Sequence, residues 1–328
     1  MRQPRIKIPP ETCEAVYHCI SRTVNGERLF AASDCDVFRQ FIARLADYCG
    51  VEVLTYTILS NHFHIVLRVP QKTVPSDTEL LRRYRTLYPS PTKYQMARLT
   101  VIEDQLKTGG EKGIAWRRQQ LAQMGDLSSY MKLIKQRFSI WYNRTHQRFG
   151  TLWAERFKSV LVEARGRATE ATAAYVDLNC IRAGLVRDPK DYRFCGYAEA
   201  LAGSAKAQQG LCFVMGAKTW ADAHNAYRQV LFSTGAGPRE NRANISFEEL
   251  TKVIKAGGQL DSATVLRCRL RYFSDGGVLG SRAFVEQQLT AYRKQTGRRP
   301  RTAPRPVPAL AYCGDLTTLR GIRHGAIG

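Results

Sequence analysis

The chain lacks three things: a Cys-x-x-Cys pair among its nine cysteines, an apolar run approaching the ~18–20 residues of a membrane span, and acidic residues in number. Scattered cysteines of odd count exclude a disulfide framework and a thiolate zinc site, and read as reduced, mostly buried small residues. The opening MRQPRIKIPPETCEAV holds no uninterrupted apolar stretch of the signal-peptide kind, so a cytoplasmic protein without a membrane partner is expected. Asp and Glu total 28 against 50 Lys and Arg, a formal charge of +22. That excess is more than solubility needs, and it attracts polyanions, nucleic acid foremost. Histidine is scarce too: six in 328 residues, yet two stand one residue apart in SNHFHIVL (60–67).

What is present reads as an α+β chain. AVYHCISRTV (15–24) is rich in strand formers and stops at Asn25-Gly26, a turn signal. From Asp34 to Cys49, Val37, Phe38, Phe41, Ile42, Leu45 and Tyr48 recur at helical spacing, with Ser33 or Asp34 able to cap and Gly50 just past the end. VEVLTYTIL (51–59) and HFHIVLRV (62–69) make a hairpin about Ser60-Asn61. Residues 70–126, with four prolines and a Gly109-Gly110 break, read as a helical insertion. A helix with a basic side follows over 127–150, then a strand in AERFKSVLVE (154–163) and a helix over 169–185 ending near Gly184. The sum is βαββαβ plus a helix: a ferredoxin-like sheet with helices on one face. Residues 1–204 form this unit. Helical patterns at 220–232, 246–257 and 281–295 suggest a small, mostly α-helical accessory domain over 205–295. Residues 296–328 form a basic Pro/Arg-rich tail; RKQTGRRPRTAPRPVP (293–308) favours extended, solvated chain. There is no internal repeat.

Alternation along a strand puts His62 and His64 on one face and Phe63, Ile65 and Leu67 on the other. Two imidazoles on one face can chelate one cation, although so short a motif also arises by chance. Tyr175 and Asn179, four residues apart on a helix, place a phenol and a carboxamide on a common face. Packed over the histidine strand, Asn179 would complete an N/N/O ligand set and Tyr175 would lie beside the ion as a nucleophile. That is useful in phosphoryl transfer, where a divalent cation neutralises charge on a non-bridging oxygen. A free phenol titrates near ~10, so nearby positive charge must favour phenolate during attack. Mixed N/O ligands suit magnesium or manganese, and two histidines also tolerate zinc. Each residue has an ordinary reading as well: tyrosines on amphipathic helices are mostly core, asparagine often bonds locally, and His18 on the first strand reads as structural, with a place near the metal as the minority reading.

VYHCISRTVNGERLF, VEVLTYTILSNHFHIVLRV, GTLWAERFKSVLVE and AAYVDLNCIRAGLV, in that order, resemble the motifs of single-tyrosine HUH transposases, most closely the REP-associated tyrosine transposases. RYFSDGGVLGSRAFVEQ (271–287) is similar to a downstream block in some of them. The resemblance covers residues 15–69 and about 127–200. It implies an HUH endonuclease fold, with His62, His64 and Asn179 as ligands of Mg2+ or Mn2+ and Tyr175 as the nucleophile. The implied reaction cleaves single-stranded DNA at hairpin-forming, REP-like sequences through a 5′-phosphotyrosine intermediate, as in transposition. The chain departs from the pattern at Cys180, where proline is expected, and in the length of its insertion.

Arg148, Arg156 and Lys158 lie in sequence near Phe149, Trp153 and Phe157 and, with Arg22 of the first block, give the mixture of charge and stacking surface that unpaired strands favour, although Phe157 itself reads as core. The expected partner is therefore single-stranded or hairpin DNA, with the protein nucleoid-associated as a monomer or dimer. Two other functions fit the residues: a DNA-binding regulator of the same fold that does no chemistry, and a rolling-circle or relaxase-type nickase.

Overall fold

The computed structural model describes residues 5–232, 271–275, 277–297, 303–307 and 316–319. Its centre is β1 (Ala15–Arg22), which pairs antiparallel with β3 (His62–Val69) along its whole length. β2 (Glu52–Ile58) pairs with the other edge of β3, and β4 (Lys158–Val162) with the other edge of β1. The resulting order β2-β3-β1-β4, with α1 (Ala32–Cys49) and α5 (Leu127–Thr145) as crossovers, is the expected ferredoxin-like arrangement. α1 starts at the β2–β3 turn, where Phe30 N–H donates to Ser60 O, and Asp34 accepts the Ala31 N–H at its first turn. It stops at Gly50, whose φ of 63° suits the left-handed cap that glycine allows.

Period-two alternation divides the sheet into two cores. Phe63, Ile65, Leu67 and Val69 point with Tyr17 and Cys19 toward α1 and α5, where Phe38, Ile42, Leu45, Tyr130, Ile134 and Phe138 fill the space. Phe38, Phe63, Phe138 and Trp153 meet there edge to face or tilted, contacts worth about 0.5–1.5 kcal/mol each beyond burial. The opposite face is covered as well. Val16, Val66, Val160 and Val162 pack under α6 (Arg167–Asp177), together with α8 (Gly196–Leu201), α9 (Ala205–Met215) and α10 (Trp220–Phe232). α7 (Asn179–Arg182) follows α6 after Leu178, so the single helix expected over 169–185 is divided at the position before Asn179.

The insertion is helical, as its sequence suggests: α2 (Asp77–Thr86), α3 (Lys93–Lys107) and α4 (Glu111–Leu121), the first two capped by the Ser76 and Thr92 hydroxyls. Arg82 bonds Asp47 near the end of α1, and Gly125 N–H donates to Cys49 O, which sets the insertion at the end of α1 away from the β2–β3 turn. Beyond α10 the described chain returns to the sheet. α11 (Arg271–Asp275) leads to β5 (Val278–Ser281), which lies parallel to β4, and α12 (Arg282–Thr296) follows. β6 (Arg305–Pro306) and β7 (Leu316–Thr318) complete a seven-stranded sheet among the described residues. α12 matches the helix expected over 281–295, so the chain expected to be extended from 293 begins after Thr296, and within it 305–306 form β6. The helix expected over 246–257 and most of the tail lie outside the described residues. No helix among the described residues is long and apolar enough to cross a membrane.

α9 approaches β2 through Gly210, where a Cβ would stand 2.6 Å from Leu54 O and 2.9 Å from its Cα. Gly210→Ala should therefore destabilise the fold by about 1–3 kcal/mol through backbone displacement. A lower midpoint in urea unfolding is the expected result, and an unchanged one would mean that α9 tolerates standing further off.

Candidate active site

The site lies on the α6 side of the sheet, at the end of β1 and β3 that adjoins the β2–β3 turn. His62 lies opposite Arg22 and His64 opposite Ile20, so all four point to that face. α6 is fixed over them by β2: Thr57 Oγ1 donates to Val176 O at 2.7 Å, and Thr55 Oγ1 to Asp177 Oδ1 at 2.7 Å. Tyr227 Oη donates to Asp177 Oδ2 at 2.6 Å and Tyr197 N–H to Oδ1 at 3.4 Å. Burial pushes the Asp177 carboxyl up to about 7 against these donors, which favour its charged form. The carboxyl fastens α6 to β2, α8 and α10.

The placement expected from the sequence holds: helix and strand bring Tyr175, Asn179, His62 and His64 together. His62 Nε2 is 3.3 Å from Asn179 Nδ2, the two imidazole centroids are 5.3 Å apart, and the Tyr175 ring stands edge-on to His64 at 6.1 Å. His64, Tyr175 and Asn179 are fully buried, and His62 nearly so. Yet His64 Nε2, Tyr175 Oη and Asn179 Oδ1 have no hydrogen-bond partner. Three such atoms, on β3, α6 and α7, are costly, at about 1–3 kcal/mol each, and mark a place built for something else. His62 Nδ1 donates to Asn61 Oδ1 at 2.6 Å, so the lone pair of the neutral ring lies on Nε2. Asn61 is itself anchored by its Nδ2 donating to Gly26 O. Burial, with the neighbouring His18, His62 and Arg182 adding to it, holds His64 well below the usual imidazole range. It therefore presents a neutral ring at neutral pH. Turning over the Asn179 carboxamide exchanges Oδ1 for Nδ2 with no backbone shift. Two imidazoles and a carboxamide oxygen are a fitting donor set for a divalent cation of the magnesium, manganese or zinc kind. Among the described residues no cluster of three His, Cys, Asp or Glu side chains offers another metal site.

Sequence reasoning missed two groups that enclose Tyr175. The Arg182 guanidinium lies 3.9 Å above the phenol ring and donates to Tyr175 O at 2.6 Å, and Phe273 stacks on the ring at 4.5 Å. Arg182, seven residues on, is two helical turns from Tyr175, a spacing that was readable. Phe273 is almost a hundred residues away and gave no such signal. His18, expected to be structural, is fully buried beside His64, with ring centroids 5.0 Å apart. Burial pulls its own basicity down to about 4.

The four expected DNA-contacting cations all lie around this end of the sheet. Arg22 is the ladder partner of His62, and Lys158 opposes Ile20 on the same face. Arg156 is exposed just before β4. Arg148 is engaged locally, donating to Thr151 O at 3.0 Å and lying 3.6 Å from Glu27. Of the aromatics, Trp153 is corrected to a core residue, enclosed by Phe30, Phe38 and Phe63, with its indole N–H donating to Lys135 O. Phe157 is buried beneath Arg5, as its own sequence reading held. Phe149 is 93% exposed and alone of the three keeps a free stacking face.

No family model matches the chain, and no curated protein does. Among solved structures, the chain is similar to a REP-associated tyrosine transposase bound to a REP hairpin, at 12% identity and a TM-score of 0.39 over 62% of this chain and 85% of that one. A likeness so remote carries no argument, and the functional reading rests on the geometry above.

Because the Tyr175 hydroxyl is buried without a partner, Tyr175→Phe should fold at least as stably as the parent, with a gain of up to about 1 kcal/mol in metal-free buffer. Thermal melts of the two proteins test this. A clear loss of stability would reveal a hydrogen bond to that oxygen.

Proposed function

We propose that the chain is a metal-dependent endonuclease and strand transferase for single-stranded, hairpin-forming DNA, with Tyr175 as its nucleophile. The observation that supports this reading is the meeting of a buried phenol, whose hydroxyl has no hydrogen-bond partner, with two imidazoles and a carboxamide on a strongly basic protein. In the reaction, the Tyr175 oxygen bonds to phosphorus as the bond from phosphorus to the 3′ oxygen breaks. The phenol loses its proton and the departing 3′ oxygen gains one. The products are a 5′-phosphotyrosine link and a free 3′-hydroxyl, and the reverse attack rejoins strands with neither water nor nucleotide consumed. His62, His64 and Asn179 would hold a divalent cation, Mg2+ or Mn2+, whose chemistry when bound is to neutralise charge on a non-bridging phosphate oxygen and align the ester. Arg182, stacked on the phenol, is the positive charge that attack by a phenolate calls for. Arg22, Arg156 and Lys158 are placed for phosphate contact, and Phe149 for stacking on an unpaired base.

The complete burial of Tyr175 under Arg182 and Phe273 favours a second reading, in which the chain binds such DNA without cutting it. One experiment separates the two. Wild-type protein, incubated with a hairpin oligonucleotide and Mn2+, should form a covalent adduct that resists denaturing electrophoresis. Tyr175→Phe should abolish the adduct while leaving binding nearly intact, and EDTA should abolish it too. An adduct persisting in Tyr175→Phe would point to another nucleophile. Tight, salt-sensitive binding by wild type with no adduct on any matched hairpin would establish the second reading.

A further inference from the structure

His18 is separate from the proposed ligands and nucleophile, but it is joined to them by a directed chain of hydrogen bonds. Its Nδ1 lies 2.7 Å from the carbonyl oxygen of Phe273, in α11, and its Nε2 lies 2.8 Å from His64 Nδ1. A carbonyl oxygen can only accept, so the proton on His18 must sit on Nδ1. With both rings buried and neutral, His18 Nε2 then has only a lone pair, and the proton between the rings must come from His64 Nδ1. That leaves the lone pair of His64 on Nε2, the atom without a hydrogen-bond partner, on a ring that neighbours those of His62 and Tyr175. His62 reaches the same state by a shorter route, through Asn61.

We infer that His18 is a positioning residue that, anchored by the Phe273 carbonyl, fixes His64 in the Nδ1–H tautomer and aims its Nε2 into the site. The consequence for cation binding rests on the reading under Proposed function; the tautomer does not. It also makes the segment around residue 273 part of the site, since it alone among the described groups settles which way the chain of protons runs. Partners of this kind, standing behind a metal-bound histidine, typically contribute a factor of about 10–100 to metal affinity.

The test uses full-length protein labelled with 15N-histidine, with His64 assigned by its loss in His64→Asn. In metal-free wild type, the His64 resonances should show a protonated Nδ1 and a bare Nε2; the opposite tautomer would overturn the proposal without reference to any variant. In His18→Leu, His64 should lose that single tautomer and Mn2+ binding, followed by calorimetry, should weaken about 10–100-fold. In His18→Gln, whose amide can donate to the carbonyl and accept from His64, both should largely recover. An unaltered His64 tautomer in folded His18→Leu would also overturn the proposal. If wild type shows the expected tautomer yet binds no Mn2+, the positioning role stands and the metal reading falls.

Discussion

The register between β1 and β3 is the constraint on which the rest depends. It sets Ile20 against His64 and Arg22 against His62, with His18 one step along the same face. A slip of one residue would turn the imidazoles into the aromatic core under α1 and bring Phe63 out beneath α6. The ladder is protected from slipping by what each face packs against: large rings on one side, and valines and small α6 residues on the other. Once the register is fixed, His18 has no neighbour on its own strand face better placed than His64.

The two sides of the sheet divide the work of the molecule between them. The α1/α5 side is dry and aromatic and resembles any well-packed domain interior. The α6 side mixes alanines and valines with buried hydroxyls, a carboxyl and three imidazoles, and almost every polar group there is matched to a partner. Among the buried atoms without a hydrogen-bond partner are His64 Nε2, Asn179 Oδ1 and Tyr175 Oη, carried by neighbouring side chains. Unsatisfied polar groups gathered in this way are a common signature of a site selected for something other than folding.

Much of this was legible in the sequence. The period-two run in HFHIVLRV gave both the strand and the shared face of the histidines, and helical spacing gave the pairing of Tyr175 with Asn179. The break at Leu178 did not disturb that pairing, because its backbone remains close to helical. Local patterns were silent wherever contacts are remote. Nothing near Val278–Ser281 foretold a strand beside β4, since so short a stretch acquires its partner only from the tertiary fold. Trp153 read as a stacking surface because its neighbours are basic, whereas its environment is set by Phe30 and Phe63, far away in sequence. His18 shows the limit most clearly: its role depends on a backbone oxygen 255 residues away.

The three helices inserted between β3 and α5 leave and rejoin the sheet at the rim farthest from the imidazoles, held by Arg82 to Asp47 and by the Gly125–Cys49 bond. A segment attached there grows outward without lengthening any connection that passes through the histidine end, and loop closure costs only slowly increasing entropy with length. The far rim is thus where this architecture tolerates evolutionary experiment, and a fluorescent or affinity module spliced between α3 and α4 would leave the imidazoles and Tyr175 undisturbed.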